Sequence, residues 1–309
     1  MRSAAGSSPP RFVVFGAGGL LGTALQHVVA ARGLQDRVQF LTRRQADITQ
    51  TEQVVIALDG FEPRWVINCA AFSNVDQAEM VASEAHSVNG AAVERLAHAC
   101  KRRGIGLLHV STDYVFDGTS SQPINEDARP NPVNAYGRSK LDGEEAVQFV
   151  GRAASGDPAP WPWIIFRTSW LFSPWGANFF SSIPRLLREG ATVRVADDQT
   201  NRPTYAPDAA AVMLDLVARN HRGIIHFSND GSATPLDLAE AWRTALHECV
   251  HPQARIERCS TASFGPRAIR PVTNLLGLER ISGMLGHRPR HWWSGVEETA
   301  RAMLASKTP

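Results

Sequence analysis

Arg11-Phe-Val-Val-Phe-Gly-Ala-Gly-Gly-Leu-Leu-Gly22 is the stretch that decides the architecture. Its first five residues make a short apolar run, and Leu20–Ala31 continues as an apolar-faced helix. Between them, glycines at 16, 19 and 22 let the chain turn tightly, bring its backbone close to a pyrophosphate and seat a helix against a sheet. Phosphates held there face the positive N-terminal end of that helix. A glycine triplet alone is weak evidence. Between a first strand and a first helix it predicts a dinucleotide site, with Gly16, Gly19, Leu20 and Leu21 against the cofactor.

The same alternation repeats downstream. Val38–Leu41, Trp65–Ala71, Ile105–Val110 and Trp163–Phe166 read as further strands. Helical stretches separate them at Thr49–Leu58, at Val75–Arg103 (two helices divided at Asn89-Gly90) and from Tyr136 onward. Continuous apolar strands alternating with helices predict an α/β fold, a doubly wound parallel sheet covered on both faces. After residue 170 the order becomes irregular, with helices at Asn178–Glu189, Asp208–Asn220 and Thr234–Cys249 and strands at Val193–Ala196 and Gly223–Phe227. We therefore expect a dinucleotide-binding domain over 11–170, to which 205–228 returns. A smaller, discontinuous α/β substrate domain takes 171–204 and 229–309. Residues 1–10 read as a disordered tail, and the Gly-, Pro- and Ala-containing segment 151–162 as a surface insertion.

The second strand points to the cofactor. Sites for NAD usually carry an acidic residue about twenty positions beyond the glycines, where it holds the ribose 2′-hydroxyl. Here the strand ends Leu41-Thr-Arg-Arg44, without a carboxylate. The guanidinium of Arg43 or Arg44 is shaped for a 2′-phosphate, so NADPH is the expected cofactor and NADH the alternative. Asp47 and Ile48 follow toward the adenine, and Ala70 and Ala71 end the third strand where small residues line the cofactor cleft.

Tyr136-Gly-Arg-Ser-Lys140 carries the chemistry. A spacing of four places Tyr136 and Lys140 on one helical face. A phenol with a reference pKa of about 10 is a poor acid–base group at neutral pH. A neighbouring ammonium is expected to lower it toward the working range. Tyr136 then gives a proton to a carbonyl oxygen as hydride reaches carbon, and Lys140 also holds the nicotinamide ribose. Thr112, ending the fourth strand, can hydrogen-bond the same oxygen.

These motifs resemble those of dTDP-4-dehydrorhamnose reductases, a branch of the extended short-chain dehydrogenase/reductase superfamily. Ser111-Thr-Asp-Tyr-Val-Phe-Asp-Gly118 and Asn134-Ala-Tyr-Gly-Arg-Ser-Lys140 carry the likeness. Arg167-Thr-Ser-Trp170, Asn178-Phe179, Asp198-Gln199, Pro203-Thr204 and Arg270-Pro271 follow in the family's order, over about residues 11 to 300. The resemblance implies a Rossmann-type fold, a nucleotide-linked ketosugar as substrate, and reduction of the 4-keto group of a 6-deoxyhexose. It makes Thr112, Tyr136 and Lys140 the catalytic set and places Thr112, Asp113, Trp170, Asn178 and Arg270 beside the substrate. The chain departs from the pattern at Leu20, Asn201 and Thr273-Asn274, which bears on the exact sugar. Ala24 stands where some members carry a magnesium-binding acidic residue, so no metal is expected. A same-fold epimerase and a non-catalytic NADP-binding regulatory subunit are the competing readings. Dehydration is disfavoured because Tyr114, not Glu, follows Asp113.

Bulk composition narrows the rest. The 32 Lys+Arg and 30 Asp+Glu residues nearly balance, which speaks against a nucleic-acid partner. No apolar run reaches the roughly 18 residues of a membrane span, so a cytoplasmic location is expected. The scattered Cys69, Cys100, Cys249 and Cys259 form no metal or disulfide pattern. His109 and Trp292-Trp293 read as packing residues, Asp76 and Glu79 as helix-start carboxylates, and a homodimer is the default assembly.

Overall fold

The computed structural model describes residues 11–152, 160–175 and 178–305. The expected tail over 1–10 and most of the 151–162 insertion lie outside the described residues. The first half runs β1 (Phe12–Phe15), α1 (Leu20–Ala31), β2 (Val38–Leu41), α2 (Thr51–Phe61), β3 (Trp65–Asn68), α3 (Val75–Met80), α4 (Ala82–His86), α5 (Ala92–Arg102), β4 (Gly106–Thr112), α6 (Ala135–Gly151) and β5 (Trp163–Thr168). The second runs β6 (Leu171–Phe172), α7 (Phe179–Glu189), β7 (Thr192–Ala196), β8 (Thr204–Tyr205), α8 (Ala206–Ala218), β9 (Gly223–His226), α9 (Pro235–Ala245), β10 (Arg255–Cys259), α10 (Glu279–Leu285) and α11 (Trp292–Ala305).

A six-stranded sheet in the order β2-β1-β3-β4-β5-β9 forms the centre, and every pairing in it is parallel. Alternate residues of a strand point to opposite faces. Phe12 and Val14 accordingly join a core with α1 and α8. Val13 and Phe15 join another with α2, α5 and α6. Both faces are covered, which is why the strands read as unbroken apolar runs rather than alternating ones. Segment 206–226 lies with this half: α8 packs on α1, and β9 extends the sheet beside β5. A separate core joins α7, α9 and α11 to β7, and includes Trp242 and Trp292.

Three details differ from the sequence reading. Asn89-Gly90 does not break the helix. It sits in a π-helical turn, Ser87–Ala91, that joins α4 to α5, and the helical run divides at Val81 instead. The Asn89 side chain accepts from Phe72 N (2.8 Å) and donates to Phe72 O (2.9 Å), so the widened turn brings it onto the loop after β3. The end of the 151–162 segment is not surface, because Trp161 is buried and its Nε1 donates to Ile105 O at 2.7 Å. β10 was not foreseen because Arg255-Ile-Glu-Arg-Cys259 is largely exposed and carries charge where buried strands carry apolar side chains.

Candidate active site

The glycine loop is built for close approach. Gly16 has φ of 78°, in the left-handed region, and a Cβ there would sit 2.5 Å from Ala70 N. A Cβ on Gly22 would sit 2.4 Å from Gly16 O. The first and third glycines are therefore steric requirements, one for the turn against β3 and one for the seating of α1. A cleft of about 240 Å³ opens beside the loop between Gly16, Gly19, Asp47, Ile48, Ala70 and Ala71. Its rim includes Arg43, whose Nε donates to Asp47 Oδ2 at 2.9 Å while the guanidinium stays mostly exposed. Asp47 also accepts from Thr49 N and Oγ1, and its pKa is lowered although burial opposes this. Arg44 is exposed and is not part of that lining. The cradle suits a dinucleotide, with the largely exposed guanidinium of Arg43 on its rim.

Gly19, Leu20 and Leu21 also face a second cleft, of about 540 Å³, in which Thr112, Tyr136 and Lys140 converge. Helix α6 is capped twice at its start. Asn134 Oδ1 accepts from Gly137 N at 2.7 Å, and Glu79 Oε1 accepts from Ala135 N at 2.6 Å. Glu79, read from sequence as a dipole carboxylate of its own helix, thus acts on the catalytic helix instead. A Cβ on Gly137 would lie 2.2 Å from Tyr114 O, so the first turn of α6 rests directly on the segment after β4.

Lys140 is buried, and its Nζ donates to Val110 O at 2.7 Å and meets His109 Nε2 at 3.2 Å. Burial lowers its pKa to about 8, against the raising influence of Glu144. The expected lowering of the Tyr136 pKa is not what the structure has. Burial pushes the phenol up to about 12, with the Thr112 hydroxyl pulling the other way. Lys140 Nζ is engaged by Val110 O and His109 Nε2, and burial keeps the Tyr136 phenol protonated at neutral pH, as an acid for a developing alkoxide must be. His109 is buried, as read, but it is a hydrogen-bonding partner of Lys140 and Asn68 rather than a packing residue.

Behind this set lies a buried ion pair. Glu144, one turn beyond Lys140, receives Arg167 Nε at 2.9 Å and Nη2 at 2.6 Å, and Ser111 Oγ donates to it as well. Arg167 also donates to His226 Nε2 at 3.2 Å. Burial and that guanidinium bring the His226 pKa down to about 3, so the ring is neutral and its Nδ1–H is free to donate to Ile124 O.

Asp113 is buried beside Thr112. Its Oδ2 accepts from Asn201 Nδ2 at 2.7 Å and Asn274 Nδ2 at 3.3 Å, and Oδ1 accepts from Thr112 Oγ1 at 3.2 Å. Burial raises its pKa to about 6. Asn201 and Asn274, two of the positions that the sequence reading set apart from the family's pattern, are thus the clamps on this carboxyl. Trp170 adopts φ of 39°, a strained value for a bulky side chain. Its ring packs on Phe180 with centroids 5.0 Å apart, and it lines both the catalytic cleft and a neighbouring cavity of about 740 Å³. Arg270 lines that larger cavity and is held by Asp76, with Nη2 to Oδ2 at 2.6 Å. Asn74 rather than Asp76 caps α3; Asp76 reaches across to Arg270 and to the backbone of Arg267 and Ala268. Asn178 lines the catalytic cleft, and its amide caps α7 through Ser181 N and donates to Leu171 O. Among the described residues, no group of three His, Cys, Asp or Glu side chains is placed to hold a metal, and no helix is long and apolar enough to cross a membrane.

A parallel dinucleotide-binding sheet with Thr, Tyr and Lys converging in its cleft defines a nicotinamide-dependent oxidoreductase of the short-chain dehydrogenase/reductase type. Within that class, the profile described as RmlD substrate binding domain matches residues 10–305, and the chain belongs to this family. It is 42% identical over 300 residues to a dTDP-4-keto-6-deoxy-D-glucose reductase of Streptomyces niveus, covering 96% of this chain and 99% of that one. A dTDP-4-dehydrorhamnose reductase of Aggregatibacter actinomycetemcomitans is 33% identical over 290 residues, covering 91% and 95%. Among solved structures, the dTDP-4-dehydrorhamnose reductase of Bacillus anthracis in complex with NADP superposes with a TM-score of 0.84 at 29% identity, covering 94% of this chain and 99% of that one.

Proposed function

We propose that this protein reduces the 4-keto group of a dTDP-linked 6-deoxyhexose with NADPH. The observation that carries the reading is the junction of clefts. The one holding Thr112, Tyr136 and Lys140 meets the glycine loop at one end. It shares Tyr114, Trp170, Phe179 and Phe180 with the larger cavity at the other. Volumes of this order suit a cofactor end and a sugar nucleotide meeting head to head. The names of the relatives supply the substrate class.

NADPH, held by the Gly16–Gly22 loop and Arg43, supplies hydride when bound. Tyr136 carries the proton that the new hydroxyl needs, and a phenol near pKa 12 is still far more acidic than an alcohol. Thr112 Oγ1, fixed by Tyr114 N at 3.2 Å, orients the carbonyl oxygen toward Tyr136. Lys140 supplies positive charge as the phenolate forms. Trp170 shields the sugar from water, and Asp113 lies against it with its carboxyl clamped. Arg270 and Asn178 line the path from sugar to nucleotide.

The direct test uses NADPH deuterated at the transferred position and a dTDP-4-keto-6-deoxyhexose. The expected product carries one deuterium at C4 of the sugar. Product without deuterium, or release of the sugar unreduced, overturns the reading.

A further inference from the structure

Asn68, the last residue of β3, and His109, in the middle of β4, face each other in register on the side of the sheet covered by α6. Both are fully buried. Their hydrogen bonds run in one direction, and a backbone group sets that direction. Ala70 N–H can only donate, and it meets Asn68 Oδ1 at 3.1 Å. The other end of the Asn68 amide is therefore NH₂, and it meets His109 Nδ1 at 3.1 Å. Nδ1 must accept, because two donors cannot face each other. Burial holds the imidazole well below its usual pKa, so it is neutral and has one N–H. That hydrogen is on Nε2, which lies 3.2 Å from Lys140 Nζ. An Nε2–H has an acceptor at Nζ only when the lysine is an uncharged amine, whose remaining hydrogens still reach Val110 O at 2.7 Å.

We propose that Asn68 and His109 form a fixed-polarity pair that favours the uncharged amine of Lys140, readying Lys140 to surrender a proton toward the Tyr136 phenolate during reduction. The proposal rests on the reading of Tyr136 and Lys140 as the reacting pair. The step balances as follows. The Tyr136 proton goes to the new sugar hydroxyl as hydride forms the C–H bond. A Lys140 N–H proton replaces it on the phenolate, and the amine left behind accepts a hydrogen bond from His109 without further transfer. Solvent returns the proton to Lys140 between turnovers. His109 and Asn68 are positioning residues, since they act through Lys140. The other ionisable groups facing Lys140 are Glu144, which favours the ammonium and is itself neutralised by Arg167, and Cys69, whose thiol burial raises to about 12.

The test begins with the unaltered protein. Nitrogen-15 NMR of His109, assigned by its loss in His109→Gln, should show the hydrogen on Nε2; a hydrogen on Nδ1 overturns the proposal. The second arm reverses the polarity with Asn68→Asp, isosteric and still able to accept from Ala70 N. Its carboxylate takes a hydrogen from Nδ1 and leaves Nε2 bare toward the ammonium. The sign is set by Lys140, whose protonated form is needed for reduction and is lost as pH rises through its pKa. In Asn68→Asp that alkaline fall in kcat should move up by about one pH unit, with kcat at neutral pH down about tenfold, a Brønsted-scale effect. His109→Gln, whose amide oxygen can face the ammonium, should behave alike. NADPH affinity reports that each variant is folded. An unchanged alkaline limb in both variants, or a shift to lower pH, overturns the proposal. Tyr136→Phe in the same assay separates the two layers: an active Tyr136→Phe refutes the site reading, whereas an inactive one with unshifted profiles refutes only this inference.

Discussion

The half of the molecule around the six-stranded sheet and the half around α7, α9 and α11 are held together by different physics. Around the six-stranded sheet, apolar side chains close both faces, and the buried Glu144 and Arg167 pair inside. The second half has its own core, but its strand pairs are short, β6 with β8 and β7 with β10. Polar ties fasten it to the rest: Arg270 to Asp76, Arg290 to Asp208, and Asn201 and Asn274 to Asp113. The comparison teaches where change is tolerated. On the proposed function, the half around the sheet holds the cofactor, and we infer that the half latched by polar contacts is the one in which substitutions retune the sugar.

The sharpest way to break that comparison is at the buried pair. Glu144→Gln leaves the guanidinium of Arg167, 1% exposed, without its counter-charge, and should cost about 3–5 kcal/mol in urea melts. Gly22→Ala forces a methyl against Gly16 O and should weaken NADPH binding by about 2 kcal/mol, nearly thirtyfold in a fluorescence titration. Arg43→Ala should cost NADPH about 1.4 kcal/mol, a factor of ten, while leaving NADH affinity unchanged. Asn134→Ala removes the cap of the catalytic helix and should cost about 1 kcal/mol by thermal melting. Arg290→Ala cuts a partly exposed latch and should cost under about 1 kcal/mol. Equal losses from Glu144→Gln and Arg290→Ala would erase the distinction between the halves.

Legibility in the sequence followed the same division. α1 and β2 could be read to the residue and β1 to within one, because each is a local apolar pattern bounded by Gly or charge. Thr112, Tyr136 and Lys140 were legible through spacing and context. What escaped notice was long-range and polar. Glu79 caps a helix 56 residues away, and Asn201 and Asn274 reach Asp113 across 88 and 161 residues. No local periodicity encodes such contacts. His109 read as packing because one histidine inside an apolar strand carries no signal of its partner, although its position directly before Val110, Ser111 and Thr112 was a usable hint. The raised pKa of Tyr136 was misjudged for a related reason: spacing places an ammonium nearby but does not say which acceptors occupy it.

The measurement closest to the central claim is NADPH oxidation with a dTDP-4-keto-6-deoxyhexose, run on the unaltered protein and on Tyr136→Phe. The unaltered protein should consume one NADPH per sugar reduced. Tyr136→Phe should bind NADPH normally yet lose about three orders of magnitude in kcat, the span expected for removing a general acid. Equal turnover by the two proteins would contradict the account.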